Sequence, residues 1–176
     1  GVTVANGAAL QLSGPITIGD EALTLNGTGI SSGGALRNIS GDNTYAGAIT
    51  LASDSRINSD SGLLTLNVAS GNAITGTFNI TFGGANNISV ADPIDTSTGA
   101  LTKDGTGTLF LSGANNYTGA TTISAGIIRA SHASAFGTTA GGITVESGAA
   151  LELTGAITIA TEALTLNGTG ISNGGA

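Results

Sequence analysis

The opening of this chain returns, without a gap, 141 positions later. Gly1–Ala35 aligns with Gly142–Ala176, and 26 of the 35 aligned positions are identical. Most differences are conservative, such as Val2 to Ile143 and Ser13 to Thr154. A chain that repeats itself in this way folds as an array, in which each unit buries its apolar surface against the next. Residues 1–141 read as one full repeat unit and residues 142–176 as the start of the next. The chain opens at Gly1 without Met and stops in mid-pattern at Ala176. Both features lead us to expect an interior stretch of a longer tandem protein.

Shorter echoes lie inside the unit. Ser40–Leu51 (SGDNTYAGAITL) matches Ser112–Ile123 (SGANNYTGATTI), and Glu21–Asn26 resembles Gly62–Asn67. Both offsets are multiples of a coil of roughly 20–24 residues, which gives six or seven coils per unit. Local patterns agree: Ile16-Thr17-Ile18, Leu23-Thr24-Leu25, Leu64-Thr65-Leu66, Leu109-Phe110-Leu111 and Ile157-Thr158-Ile159 all place an aliphatic residue on either side of a middle one. Such alternation sends Ile and Leu to one face of a strand and the middle residue to the other. Turn formers such as Asn26-Gly27 and Gly83-Gly84 follow the runs. Asn-Gly is also a hairpin signal. Long-range repetition without a helical crossover segment favours a parallel coil, whose strand edges are satisfied by stacking.

Composition fits that fold class, an all-β parallel β-helix or solenoid. Thirty glycines, no Cys, Met or Trp, and only 3% aromatic residues would make a poor globular core. The 40% hydrophobic content is nevertheless too high for simple disorder. Net charge is −7, and the four basic residues Arg37, Arg56, Lys103 and Arg129 are scattered. Phosphate backbones and anionic membranes are recognised by clustered Lys and Arg, so no nucleic-acid or membrane-surface partner is expected. No apolar run reaches the roughly 18–20 residues of a membrane-spanning helix.

Leu101–Ala130 (LTKDGTGTLFLSGANNYTGATTISAGIIRA) resembles the autotransporter-associated β-strand repeat, also called the passenger-associated transport repeat. Lys103, Gly105, Gly107, Thr108, Leu109, Leu111, Gly113, Asn115, Tyr117, Gly119, Thr121, Ile123 and Gly126 all hold its register. Ser40–Leu51 is a half-match that keeps Asn43, Tyr45 and Gly47. The resemblance implies a right-handed parallel β-helix in a bacterial surface or secreted protein, where the repeat serves as stalk and aids secretion. Its motif carries no catalytic residue.

The residues offer no catalytic, cofactor-binding or metal site. Asp92 and Asp95 are the nearest thing to a carboxylate pair, and Pro93 between them marks a turn. Asp54 and Asp60 flank Arg56 and read as solvated corners with weak surface pairing. His132, the single histidine, has no nucleophile motif near it. With one His and no Cys, a His/Cys metal site is excluded. Calcium on scattered Asp and Asn oxygens is the one ion left open, although the nonapeptide of calcium-binding β-rolls is missing. Thr75/Thr77, Thr96/Thr98 and Thr106/Thr108 are spaced too unevenly to build one threonine rank of an ice-binding kind. Tyr45 and Tyr117 suit packing over a turn better than a carbohydrate platform. The sequons at Asn26, Asn38, Asn79, Asn87, Asn116 and Asn167 follow from a composition rich in Asn, Ser and Thr.

The expected function is structural rather than enzymatic: an extracellular filament, fibre or stalk of tandem β-helical units. Its expected partner is itself, through covalent tandem copies, head-to-tail coil ends or lateral association. The alternative is an adhesin passenger binding glycans or partner surfaces, with the irregular stretch from Gly126 to Gly142, containing His132 and Phe136, as its site. A polysaccharide-degrading β-helix is the third reading, and it lacks the clustered carboxylates that its chemistry needs.

Overall fold

Short alternating strands dominate the chain because a three-residue L-T-L unit buries its two outer side chains and turns its middle one outward. Leu64–Leu66 and Ile88–Val90 follow this pattern, with ends buried and centre half-exposed. The computed structural model describes residues 1–138, 140–159 and 162–176. Every strand pair in it is parallel, and each strand bonds to its counterpart one coil further on. The chain is therefore a parallel β-solenoid.

Each coil has three sides. The first face carries Val2–Val4, Leu23–Gly27, the start of Ile49–Ser59, Ile74–Gly76 and Ile94–Asp95. Hydrogen bonds from Asn116 N–H to the Ile94 carbonyl and from Thr138 N–H to the Tyr117 carbonyl continue it. The second face runs from Leu10–Ser13 through Leu36–Ser40, the end of Ile49–Ser59, Ile80–Gly83, Leu101–Lys103, Thr121–Ile123 and Ile143–Val145 to Leu164–Leu166. The third runs from Thr17–Ile18 through Asn43–Tyr45, Leu64–Leu66, Ile88–Val90, Thr108–Leu111 and Gly126–Ala130 to Ala149–Leu153.

Coil length varies more than the sequence echoes suggest. Ile74 has Ile94 as its register partner, a short step, whereas Leu23 has Ile49, a much longer one. The long coil holds an extra corner, the turn Ile30–Ser32, closed by a bridge between Gly29 and Gly34. A corner loop of this kind adds residues without disturbing the stack, because length is cheap in a surface loop.

Inside, identical positions pile into aliphatic columns. Leu23, Ile49, Ile74 and Ile94 on the first face are successive partners and no more than 1% exposed. Full burial of each such side chain is worth about 1.5–3 kcal/mol. The two copies differ in how far their leucines are covered. Leu153, Leu164 and Leu166 are 50–52% exposed, whereas Leu12, Leu23 and Leu25, their equivalents in the first copy, are at most 2% exposed. Ile157-Thr158-Ile159, expected as a strand, forms none. Its equivalent, Thr17–Ile18, is held by Asn43–Tyr45 of the next coil, whereas Ile157–Ile159 has no such strand partner among the described residues.

The two copies share local conformation down to the backbone angles. Ser31 and Ser172 both adopt φ 50°, ψ 34°, and the Gly29–Gly34 bridge recurs as Gly170–Gly175. They do not share a face. Val2–Val4 lies on the first face and Ile143–Val145 on the second; Leu10–Ser13 lies on the second and Ala149–Leu153 on the third.

Candidate functional site

The motif residues of Leu101–Ala130 build coils. Lys103 turns inward, is 2% exposed, and donates from Nζ to the carbonyls of Asp104 (2.8 Å), Gly105 (2.8 Å) and Ala125 (3.3 Å). It thus ties one corner to the corner of the next coil. Burial lowers its ammonium pKa to about 8, against the opposing pull of the Asp104 carboxylate. Asn115 does the same on the first face: its Oδ1 accepts from Ile94 N–H at 2.9 Å, and its Nδ2 donates to the Ala135 carbonyl. One side chain therefore staples the coil before it to the coil after it. Tyr117 is fully buried, its hydroxyl 2.8 Å from Thr121 Oγ1, and burial raises its pKa. Gly119 passes so close to the Gly99 carbonyl that a Cβ there would collide with it. The half-match behaves alike: Tyr45 is buried and donates to the Glu21 carbonyl at 2.8 Å.

The carboxylates singled out in the sequence are held apart, each in a separate structural role. Asp92 accepts from Val68 N–H at 2.8 Å, while Asp95 lies on the first-face strand in register with Thr75. Asp54 accepts from Asn79 N–H (2.9 Å) and from Asn79 Nδ2 (3.0 Å). Asp60 pairs with Arg37, its Oδ2 2.6 Å from Nη2. Arg56, expected to pair with its sequence neighbours Asp54 and Asp60, instead grips Asp104 with two bonds of 2.7 Å. The reason is the outward column: Arg56 is in register with Thr81 and then Thr102, and Gly83, with no side chain, lets the guanidinium reach across a whole coil. His132 Nδ1 accepts from Ser134 N–H at 3.0 Å and caps a tight turn. Among the described residues, no group of three or more His, Cys, Asp or Glu side chains comes together as a metal site. No helix among them is long and apolar enough to cross a membrane.

Two surface features escape the sequence. The threonine pairs named above form no rank, since Thr96 is buried and Thr98 exposed. Other threonines do: Thr81, Thr102, Thr122, Thr144 and Thr165 are successive partners down the second face. Thr3, Thr24, Thr50 and Thr75 do the same on the first. Unequal coil lengths hide these ranks from any fixed-spacing search. The exposed aromatic is also a different one. Phe136, expected on an irregular surface stretch, is 3% exposed, because Gly126–Ala130 is a regular strand and the turn after it tucks Ala135 and Phe136 inward. Phe78, 38% exposed, borders an open groove lined by Asn6, Asn26, Gly27, Ser53 and Asp54.

Residues 101–130 match the passenger-associated-transport-repeat family. The chain is also similar to the adhesin BmaC autotransporter of Brucella suis biovar 1 (strain 1330), with 40% identity over 94 residues. That stretch is 48% of this chain and 3% of the relative, so the chain corresponds to a small segment of a very long protein. No solved structure matches.

Proposed function

We propose that this chain, which carries a passenger-associated transport repeat within a parallel β-solenoid, is a rigid stalk segment of a bacterial surface or secreted passenger. The supporting observation is where the motif's polar residues go. Lys103, Asn115 and Tyr117 are all spent on bonds within or between coils, so the most distinctive polar side chains of the motif serve the stack itself. Its outer surface is a set of short ladders of Thr and paired charges, such as Arg129 with Glu152 at 2.6 Å, suited to water rather than catalysis. Coils stacked about 4.8 Å apart give length in proportion to residue number. The test is standoff. Deleting one whole repeat unit from the parent should bring a distal fluorophore about 30 Å nearer a dye in the cell surface, as read by energy transfer. An unchanged distance would remove the stalk reading.

A second reading, adhesion, has its own observation. Phe78 offers an apolar face beside the amides of Asn6 and Asn26 and the carboxylate of Asp54, a mixture suited to stacking and hydrogen bonding a saccharide. A glycan array probed with the chain and with Phe78→Ala decides it. Binding that disappears in the variant supports adhesion through this groove, and an empty array argues against it.

A further inference from the structure

The exposed leucines at the C-terminal end define a surface whose occupant the chain itself identifies. Leu164 and Leu166 repeat Leu23 and Leu25, and Leu153 repeats Leu12. In the first copy these residues are covered by the coil from Leu36 to Ser59. Leu23 and Leu25 lie in register with Ile49 and Leu51, and Leu10–Ser13 pairs with Leu36–Ser40. At the C-terminal end a largely apolar cleft of about 240 Å³ opens among Ile143, Leu151, Leu153 and Leu164 instead, with Glu162 also in its lining.

We propose that this end is a self-recognition surface for a coil with the sequence of residues 36–59, and that joining through it turns each successive unit by one face about the solenoid axis. The rotation follows from counting. Each coil contributes three strand positions, and Ile143–Val145 stands six coils and one further position after Val2–Val4, on the next face. The repeat is thus 19 strand positions long, which is not a multiple of three. A coil equivalent to residues 36–59 added after Ala176 therefore begins on the third face, over Ala149–Leu153, where in the first copy it lies on the second. Three units restore the original orientation. Any feature of the unit, the Phe78 groove included, then faces three directions in turn, about 30 Å apart along the axis.

One sequence change between the copies favours this contact. Gln11 lies in register with Arg37, and its equivalent is Glu152. The incoming Arg37 counterpart would meet a carboxylate where the first copy offers an amide, extending the Arg129–Glu152 pair by one cation. An intact second copy is not the occupant, because its own residues 36–59 are already covered by its residues 1–27. Units join in this way whether the array serves as stalk or adhesin.

The test appends residues 36–66 after Ala176. The chain has no cysteine, so engineered pairs are unambiguous, and adjacent parallel strands about 4.8 Å apart fall within disulfide reach. Thr24→Cys with Thr50→Cys in the unextended chain is the positive control. In the extended chain, Thr165→Cys should close with a cysteine at the appended Thr50 counterpart. Closure with a cysteine at the appended Arg37 counterpart, the unrotated arrangement, overturns the proposal, as does closure with neither. Hydrogen exchange without any substitution gives a second readout. Extension should slow the amides of Leu164–Leu166 at least tenfold, and unchanged exchange overturns the proposal. So does dimerisation of the unextended chain through Leu164 and Leu166.

Discussion

Lys103 makes the solenoid's stability depend on pH above neutrality. Its ammonium sits in the wall of the stack, 2% exposed, with a pKa of about 8 against 10.5 for the free side chain. The folded state therefore releases this proton more readily than the unfolded chain does. Between those two values the unfolded chain binds more protons, so stability must rise with pH. Linkage between the two pKa values gives a gain on the order of 1 kcal/mol from pH 7 to pH 9. For a chain of this size that is an increase in melting temperature of roughly 2–4 °C. Above pH 10 the sign reverses, because Tyr45 and Tyr117 have raised pKa values and ionise more easily once unfolded. The assay is urea unfolding at pH 7, 8 and 9 for the chain and for Lys103→Met, which keeps the length of the side chain. The variant should lose the pH dependence. At pH 7 it should also be destabilised by about 2–4 kcal/mol, because the carbonyls of Asp104, Gly105 and Ala125 lose a buried donor. A flat profile for the parent, or a rise that persists in Lys103→Met, would refute this role for the lysine.

The two copies allow the same substitution to be made in two environments. Leu25→Ala should cost about 2–5 kcal/mol in chemical denaturation and Leu166→Ala under about 1, because the first is fully buried and the second half-exposed. Glycines divide by contact as well. Gly119→Ala should cost about 1–3 kcal/mol, since its Cβ meets the Gly99 carbonyl. Gly19→Ala, at an open position where the second copy already has Ala160, should be neutral or stabilising by up to about 1 kcal/mol. Arg56→Gln should cost about 1 kcal/mol at low salt and less at high salt, because its pairing with Asp104 is partly exposed.

The repeats and the alternating triplets carried the fold. Leu23-Thr24-Leu25 and Leu64-Thr65-Leu66 can bury two side chains and expose one only as strands, and repetition at multiples of a coil required them to stack. What stayed hidden depended on register across coils of unequal length. Arg56 and Asp104 lie two coils apart, and Gly83, which lets them meet, reads in sequence only as a turn former. The threonine ranks were hidden for the same reason, because the steps from Thr81 to Thr102, then to Thr122, then to Thr144 all differ and blur any single period. Phe136 and Phe78 both stand next to turn residues, and only the direction of each corner decides that one is buried and the other is a groove wall. The motif itself was legible as a pattern but not as a mechanism. That Lys103 faces inward is contrary to what a lysine on a short strand suggests, and the three carbonyls that hold it come from two corners.

Small-angle X-ray scattering from tandem chains reads the continuity of the solenoid in solution. Chains carrying one, two and three additional repeat units should each lengthen by about 30 Å per unit at constant cross-section, as a single stack of coils spaced about 4.8 Å apart requires. A cross-section that widens with copy number, or a length that grows as its square root, would mean separate folded beads or a flexible chain and would contradict the continuous solenoid.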